Sequence, residues 1–355
     1  MTPETFRCYL VTKDEAGKVS GRLDERRLEE LPEGEVLIRA NYSSLNYKDA
    51  LAATGHPGVN RTFPGVPGVD AAGVVEASDV YEYVEGDPVL VTGFDMGSNR
   101  WGGFAEYVRV PQDWVVPLPH GLSLHESMIL GSAGLTAAMG VDALERHDVT
   151  PDCGEVVVTG ASGGVGSVAV ALLARLGYDV VAISGKPAAH EFLRKLGARE
   201  ILGREAVDNT SGKPMLSGRW AGAIDVVGGN MLSTLLRATR HGGCVAACGL
   251  TGGHELSMTV YPFILRGITL AGLDAAWCAN SFRRELWGRL ADAWKLDKLA
   301  VIGHTIPLAN LPGHIDAILA GRVIGRTVIQ IRGEQTGPAT LERSAPRNGT
   351  AGIPK

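Results

Sequence analysis

Two textures of apolar and polar positions divide the chain. Up to about residue 125, short alternating runs are separated by turn residues: EVLIRANYSSLN (35–46), the Gly- and Pro-rich TGHPGVNRTFPGVPGVDAAGVV (54–75), DPVLVTG (87–93) and GGFAEYVRVP (102–111). That pattern predicts a compact β-rich unit. From about Ser127 the chain turns to small-residue helices (MILGSAGLTAAMGVDALER, 128–146) and then to alternating strand and helix signals. Such alternation predicts a doubly wound parallel sheet. Its strands are expected at 155–159, 179–184, 221–229, 242–250 and 268–275, because these apolar runs are bounded by glycine, as strands buried on both faces should be. Helices are expected at 167–176, 230–240 and 282–294, and GRTVIQI (325–331) returns to β texture and is expected to rejoin the first unit. The division predicted is 1–126 with 276–332, and 127–275, followed by a mobile tail at 333–355 that shows no periodicity and many breakers.

The run EVVVTGASGGVG (155–166) carries the clearest chemistry. A β-branched strand delivers the chain into Gly160, Gly163, Gly164 and Gly166, and a helix follows. Glycines suit a loop that a dinucleotide pyrophosphate approaches closely, while free N–H groups at the helix start offer an anion site. A glycine turn joining any strand to any helix is the plain alternative, and the second strand in βαβ position argues against it.

The 355 residues suit two domains, and 45% hydrophobic with 21% charged residues describes a globular protein. A net charge of −5 gives no basic field for nucleic acid. No signal-type N-terminus and no eighteen-residue apolar stretch occurs, so a cytoplasmic protein without membrane partners is expected. The five cysteines form no CxxC pair, and Cys244 and Cys248, four apart in one strand, read as small buried hydrophobes.

The end of the second strand selects between nicotinamide cofactors, since an acid there binds the adenosine ribose and a cation accepts a 2′-phosphate. The chain reads Ser184, Gly185, Lys186, with no carboxylate before Glu191 and with Arg204 after the next strand. NADP is therefore the expected cofactor. The loop also fits the TGxxxGxG pattern of short-chain dehydrogenases. However, only Tyr9 with Lys13 supplies their Tyr-x-x-x-Lys spacing, far upstream, and the loop follows a whole β-rich unit.

That order resembles the medium-chain dehydrogenase/reductase superfamily, which implies an α/β fold: a GroES-like β-rich catalytic domain plus a Rossmann domain. Zinc members carry a Cys or equivalent near LNYKDA, Gly-His-Glu where this chain has Gly68, Val69 and Asp70, and a four-cysteine lobe. Between Cys8 and Cys153 there is no cysteine, so no zinc is expected. Within the zinc-free branch, SSLNYKDALAATG (43–55), WGGFAEYVRV (101–110), the stretch 154–186, WAGAIDVVG (220–228), HGGCVAACGL (241–250) and TVYPFILRGITLAGLDA (259–275) closely resemble the acrylyl-CoA reductase family. The resemblance implies NADPH-dependent reduction of acryloyl-CoA to propionyl-CoA. By the same resemblance Tyr47 lies against the nicotinamide. Ser162, Gly163, Gly164, Val165 and Gly166 hold the pyrophosphate, Ser184, Gly185, Lys186 and Arg204 bind the 2′-phosphate, and Leu250 and Ile264 wall the nicotinamide side. Relatives have Ser where this chain has Ala275, so only a backbone contact remains there, and AAWCANSFRREL (275–286) departs from the family pattern.

Reducing an enoyl thioester places negative charge on the thioester oxygen and requires a proton at the α-carbon, so a zinc-free site needs hydrogen-bond donors. Tyr47 is the expected acid, with Asn46 and Asp49 able to orient it; the alternative is that Tyr47 only packs on the nicotinamide and water supplies the proton. Arg326 is a candidate phosphate ligand, and His56, Arg61, Arg100, Arg283 and Arg284 are the cations available to CoA. Two other functions fit the same residues: an NADPH-dependent quinone or small-enone oxidoreductase, and a non-catalytic NADPH-binding protein. An apolar edge strand at 268–275 would favour a homodimer.

Overall fold

The computed structural model describes residues 3–60 and 62–332. The expected tail at 333–355 and Arg61 lie outside them.

The doubly wound sheet is built from six strands in the spatial order Glu200–Leu202, Asp179–Ile183, Glu155–Val158, Trp220–Asp225, Thr239–Ala247, Thr269–Gly272. Every neighbouring pair is parallel. In chain order this is 3-2-1-4-5-6, and the reversal falls between Glu155–Val158 and Trp220–Asp225. A crevice opens at such a reversal, beyond the carboxyl ends of the strands. The central strands are apolar in their middle residues because helices cover both faces, and Val156, Val157, Val158, Ala223 and Ile224 are fully buried. The largest covering helix is Leu124–Arg146, which is long and apolar enough to cross a membrane by length and composition, yet 89% of its apolar window is buried in the protein.

The second large sheet runs Gly303–Pro307, Arg326–Gln330, Val36–Leu45, Asp70–Ser78, Pro88–Thr92, Val116–Pro117, with Tyr107–Val110 also on Val36–Leu45. The chain thus leaves the first half, builds the parallel sheet, and returns to pair Arg326–Gln330 antiparallel with Val36–Leu45. Trp287, on the helix Asn280–Ala291 that makes this return, is fully buried. Truncating it to alanine would cost about 3–5 kcal/mol from lost burial and the cavity left.

Several boundaries differ from the sequence expectation. The helix after the glycine loop starts at Gly164 instead of 167, since a glycine run can itself enter a helix when the fold fixes its backbone. The strand expected at 242–250 runs Thr239–Ala247, because Thr239 already pairs with Trp220 across a bulge. Cys248 consequently lies beyond the strand, half-buried, while Cys244 is fully buried. The pair does not share a strand face. Tyr47–Ala53 is a helix the patterning did not signal, since Asn and Asp at its start read equally well as turn residues.

Candidate active site

The carboxyl ends of the first and fourth parallel strands are locked together before any ligand is considered. Thr159 Oγ1 donates to Asp225 Oδ1 at 2.7 Å and accepts from Val226 N at 2.9 Å, while Gly228 N donates to Asp225 Oδ2 at 2.8 Å. Burial holds Asp225 above the ordinary carboxylate range, partly offset by these donors. The glycine loop hangs from this lock. A Cβ on Gly166 would lie 2.3 Å from the Gly160 carbonyl oxygen, so this position admits no side chain. Backbone therefore packs on backbone, and the N–H groups of the twelve-residue helix Gly164–Arg175 open at the crevice, an arrangement suited to an anion.

Beside it, Ser184 Oγ donates to Ser162 Oγ at 3.4 Å and accepts from Lys186 N at 3.2 Å. Lys186 Nζ donates to the Val323 carbonyl at 2.7 Å, and burial, then the neighbouring Arg204, hold its ammonium below the ordinary lysine value. The Arg204 guanidinium covers Gly185, whose Cβ would lie 2.9 Å from Nε, and no described residue forms an ion pair with it. Two cations thus share one corner, and among the described residues neither is in an ion pair with a carboxylate. Ser162, Gly163, Gly164, Val165, Gly166, Ser184, Gly185, Lys186 and Arg204 are all brought together here.

The other pole centres on Tyr47, the first residue of Tyr47–Ala53 and 43% exposed. Asp49, fully buried, accepts from Asn46 N at 2.8 Å, Asn46 Nδ2 at 3.1 Å and Val69 N at 2.8 Å. Asp70, also fully buried, accepts from Ser44 Oγ at 2.5 Å, Asn46 Nδ2 at 2.8 Å, and Ser132 Oγ at 2.5 Å. Gly131 makes room for that cluster: its φ is +54°, and a Cβ there would lie 2.5 Å from Asp70 Oδ2. Burial, and next the charge of Asp70, push the Asp49 carboxyl up to about 7.

Leu250 and Ile264 are 67% and 68% exposed, Leu250 packing its backbone beside Gly228 at the crevice. The Ala275 carbonyl is taken by Arg283 Nη2 at 3.0 Å, which leaves its N–H for any backbone contact.

Several expected ligands are committed elsewhere. Arg326 is 2% exposed and donates to Ile129 O, Leu45 O, Asn46 Oδ1 and Ser44 Oγ, so it is an internal strut and no surface phosphate ligand. Arg283 is fully buried on the Thr92, Ala275 and Ala276 carbonyls, because a guanidinium can bridge loop carbonyls that no amide reaches. Arg284 pairs with Glu82 and Tyr83, and Arg100 donates to the Glu33 carbonyl. Of the cations expected for CoA, His56 is exposed, its Nδ1 accepting from Gly58 N at 3.2 Å, and Arg284 keeps part of its side chain at the surface. Sequence reading missed Ser44, Asp70, Ser132, Thr159 and Asp225. The Asn-x-x-Asp spacing of Asn46 and Asp49 was a helix-start signal that could have revealed part of this pole.

Zinc does not fit here. Residues 68–70 offer Gly, Val and Asp, both nearby carboxylates are spent on hydrogen bonds, and no three His, Cys, Asp or Glu side chains converge among the described residues.

Comparison with known proteins adds kinship to this geometry. Residues 32–120 match the family model described as alcohol dehydrogenase GroES-like domain, and residues 164–291 the one described as zinc-binding dehydrogenase. The chain is 44% identical over 327 residues to acrylyl-CoA reductase AcuI of Ruegeria pomeroyi, covering 92% of this chain and 99% of that protein. It superposes on the crystal structure of Escherichia coli K-12 YhdH with bound NADPH at TM-score 0.88, with 44% identity, over 92% of this chain and 100% of that one. For Bacillus subtilis YhfP with NAD bound, the TM-score is 0.90 with 42% identity, over 93% and 100%.

Proposed function

The chain belongs to the acrylyl-CoA reductase family of the medium-chain dehydrogenase/reductase superfamily, and from that premise we propose that it reduces 2-enoyl-CoA thioesters with NADPH, acryloyl-CoA to propionyl-CoA first. Beyond kinship, one observation carries the reading: Lys186 and Arg204 meet beside the glycine loop, neither in an ion pair among the described residues, a corner that suits a ribose 2′-phosphate.

In this reading the Gly163, Gly164, Val165 and Gly166 backbone, with Ser162, holds the pyrophosphate, and Ser184, Gly185, Lys186 and Arg204 hold the 2′-phosphate. Leu250, Ile264 and the Ala275 backbone bound the nicotinamide side opposite Tyr47. When bound, NADPH supplies the hydride. The chain's task is then charge and proton: as the β-carbon is reduced, negative charge grows on the thioester oxygen and the α-carbon must receive a proton. Tyr47 presents a phenol from the first turn of a helix whose start is fixed by Asp49, so its backbone is held while its side chain stays open to the cleft.

NADPH oxidation followed in parallel with acryloyl-CoA, crotonoyl-CoA and a naphthoquinone tests the reading. Acryloyl-CoA should be reduced fastest. Turnover of the quinone alone would make the protein a quinone reductase, and turnover of none a non-catalytic NADPH binder. Tyr47→Phe should slow reduction by about 10²–10⁴ while NADPH affinity changes only a few-fold; unchanged turnover would remove Tyr47 as acid.

We further place the enzyme in the cytoplasm as a homodimer. The strand Thr269–Gly272 closes the parallel sheet on one side, and Val260, Tyr261, Ile264 and Leu265 beside it in sequence are exposed. Sedimentation at the 37.4 kDa monomer mass would overturn the dimer.

A further inference from the structure

The first residue of the closing strand touches both poles of the site. A Cβ on Gly164 would lie 3.2 Å from Arg326 Nη1, so the guanidinium rests close against the loop and a side chain at 164 would press on it. The same nitrogen donates to Asn46 Oδ1 at 2.9 Å. One residue earlier, Gly325 N donates to the Ser162 carbonyl at 2.9 Å, so the strand and the loop are fastened together. Asn46 in turn is read at both ends of its amide, its oxygen by Arg326 and its nitrogen by Asp70 and Asp49 at 2.8 and 3.1 Å. Tyr47 follows directly.

The chemistry of this link is specific to an amide. A guanidinium on one side demands an acceptor, and two carboxylates on the other demand donors. Aspartate at position 46 would face both carboxylates with like charge, and an aliphatic residue would leave Asp70 and Arg326 short of partners in a buried setting.

We propose that Asn46 and Arg326 are positioning residues that couple the glycine loop to the start of Tyr47–Ala53, so that a dinucleotide seated on the loop fixes the Tyr47 phenol in its working place. The proposal rests on the reading of 160–166 as the dinucleotide loop and of Tyr47 as acid. Ordering the loop limits the freedom of Gly164, which narrows the positions open to the Arg326 guanidinium. Through the Asn46 amide, that restriction reaches the helix start.

Asn46→Ser separates the link from helix initiation. Serine is a good helix-start residue but is too short to reach Arg326 and Asp70 at once. Hydrogen exchange of the full chain, with and without saturating NADPH, is the direct measurement. In the unmodified protein NADPH should slow exchange across 49–54 by about 5- to 10-fold, the low end of ordinary coupling between sites. In Asn46→Ser that protection should fall below about 2-fold, with NADPH affinity kept within about 3-fold. Turnover should drop by about 10-fold while the KM for acryloyl-CoA moves less than about 3-fold. Equal NADPH protection in both proteins would overturn the coupling, and so would a variant that loses NADPH affinity while keeping turnover. Should Asn46→Ser not fold, Asn46→Thr repeats the test with more of the side-chain volume retained. Tyr47→Phe distinguishes the two readings. If its turnover is unchanged but its NADPH protection persists, the acid assignment fails and the coupling stands.

Discussion

Around the glycine loop the groups that meet, from Glu155 to Arg204, come from one run of chain that folds as strand, helix, strand, helix and strand. Around Tyr47 the polar groups come from four separate stretches, and Arg326 is 280 residues from the Asn46 oxygen it donates to. Within the loop itself backbone packs on backbone, with the Thr159–Asp225 lock at its base, whereas the Tyr47 pole is held by buried side chains that satisfy one another across the junction of the two sheets. Local construction tolerates no bulk but is indifferent to much else. Distant construction depends on each member's hydrogen-bonding type.

If that contrast is right, the largest effect should come from adding bulk at the loop. Gly166→Val puts atoms where the Gly160 carbonyl already lies, and we expect NADPH affinity to fall more than about 100-fold, read by titration of NADPH fluorescence. A loss below about 10-fold would show that the loop yields. Removing charge at the same pole should do less: Lys186→Ala with Arg204→Ala should narrow the NADPH over NADH preference by about 10- to 100-fold, two charge-assisted contacts being lost. Equal preference before and after would sink the 2′-phosphate assignment.

The smallest effect belongs to the Tyr47 pole and concerns pH. Burial, then Asp70, raise the Asp49 carboxyl from 3.8 to about 7 in the folded protein. The folded state therefore keeps a proton that the unfolded chain releases between those values, so this group's contribution is present below about pH 4 and is lost as pH rises through about 7. Comparing denaturant unfolding of the unmodified protein with Asp49→Asn, the stability difference should move against the unmodified protein by on the order of 2 kcal/mol between about pH 5 and pH 7. A flat difference would mean that Asp49 stays ionised throughout.

The same contrast explains what could be read before the fold was known. Apolar runs bounded by glycine gave five of the six parallel strands to within a few residues, because a strand covered on both faces has no polar position to disguise it, whereas the three-residue edge strand Glu200–Leu202, only half-buried, was not placed. Ser184, Gly185 and Lys186 were legible for a similar reason, as their place at a strand end follows from chain order. The helix Tyr47–Ala53 was hidden, since Asn46 and Asp49 suit a turn as well as a helix start and only Val69 and Asp70, folded against them, decide between the two. Arg326 and Arg283 looked like cations free to meet phosphate. Arg326 is instead buried against carbonyls and side chains from the first half of the chain, and Arg283 against the distant Thr92 together with the nearby Ala275 and Ala276 carbonyls.

By itself, the sequence determined the two textures, the order of the parallel strands along the chain, the glycine loop with its neighbouring cations, and the kinship that names the chemistry. Each depends on spacing within one stretch of chain or on residue identity, neither of which needs distant partners. The tertiary structure alone decided which charges are spent inside the protein, which carboxylate is pushed up in pKa, and how Tyr47 is fastened to the loop. Those outcomes depend on which distant groups exclude water from one another, and burial is a property of the packed chain.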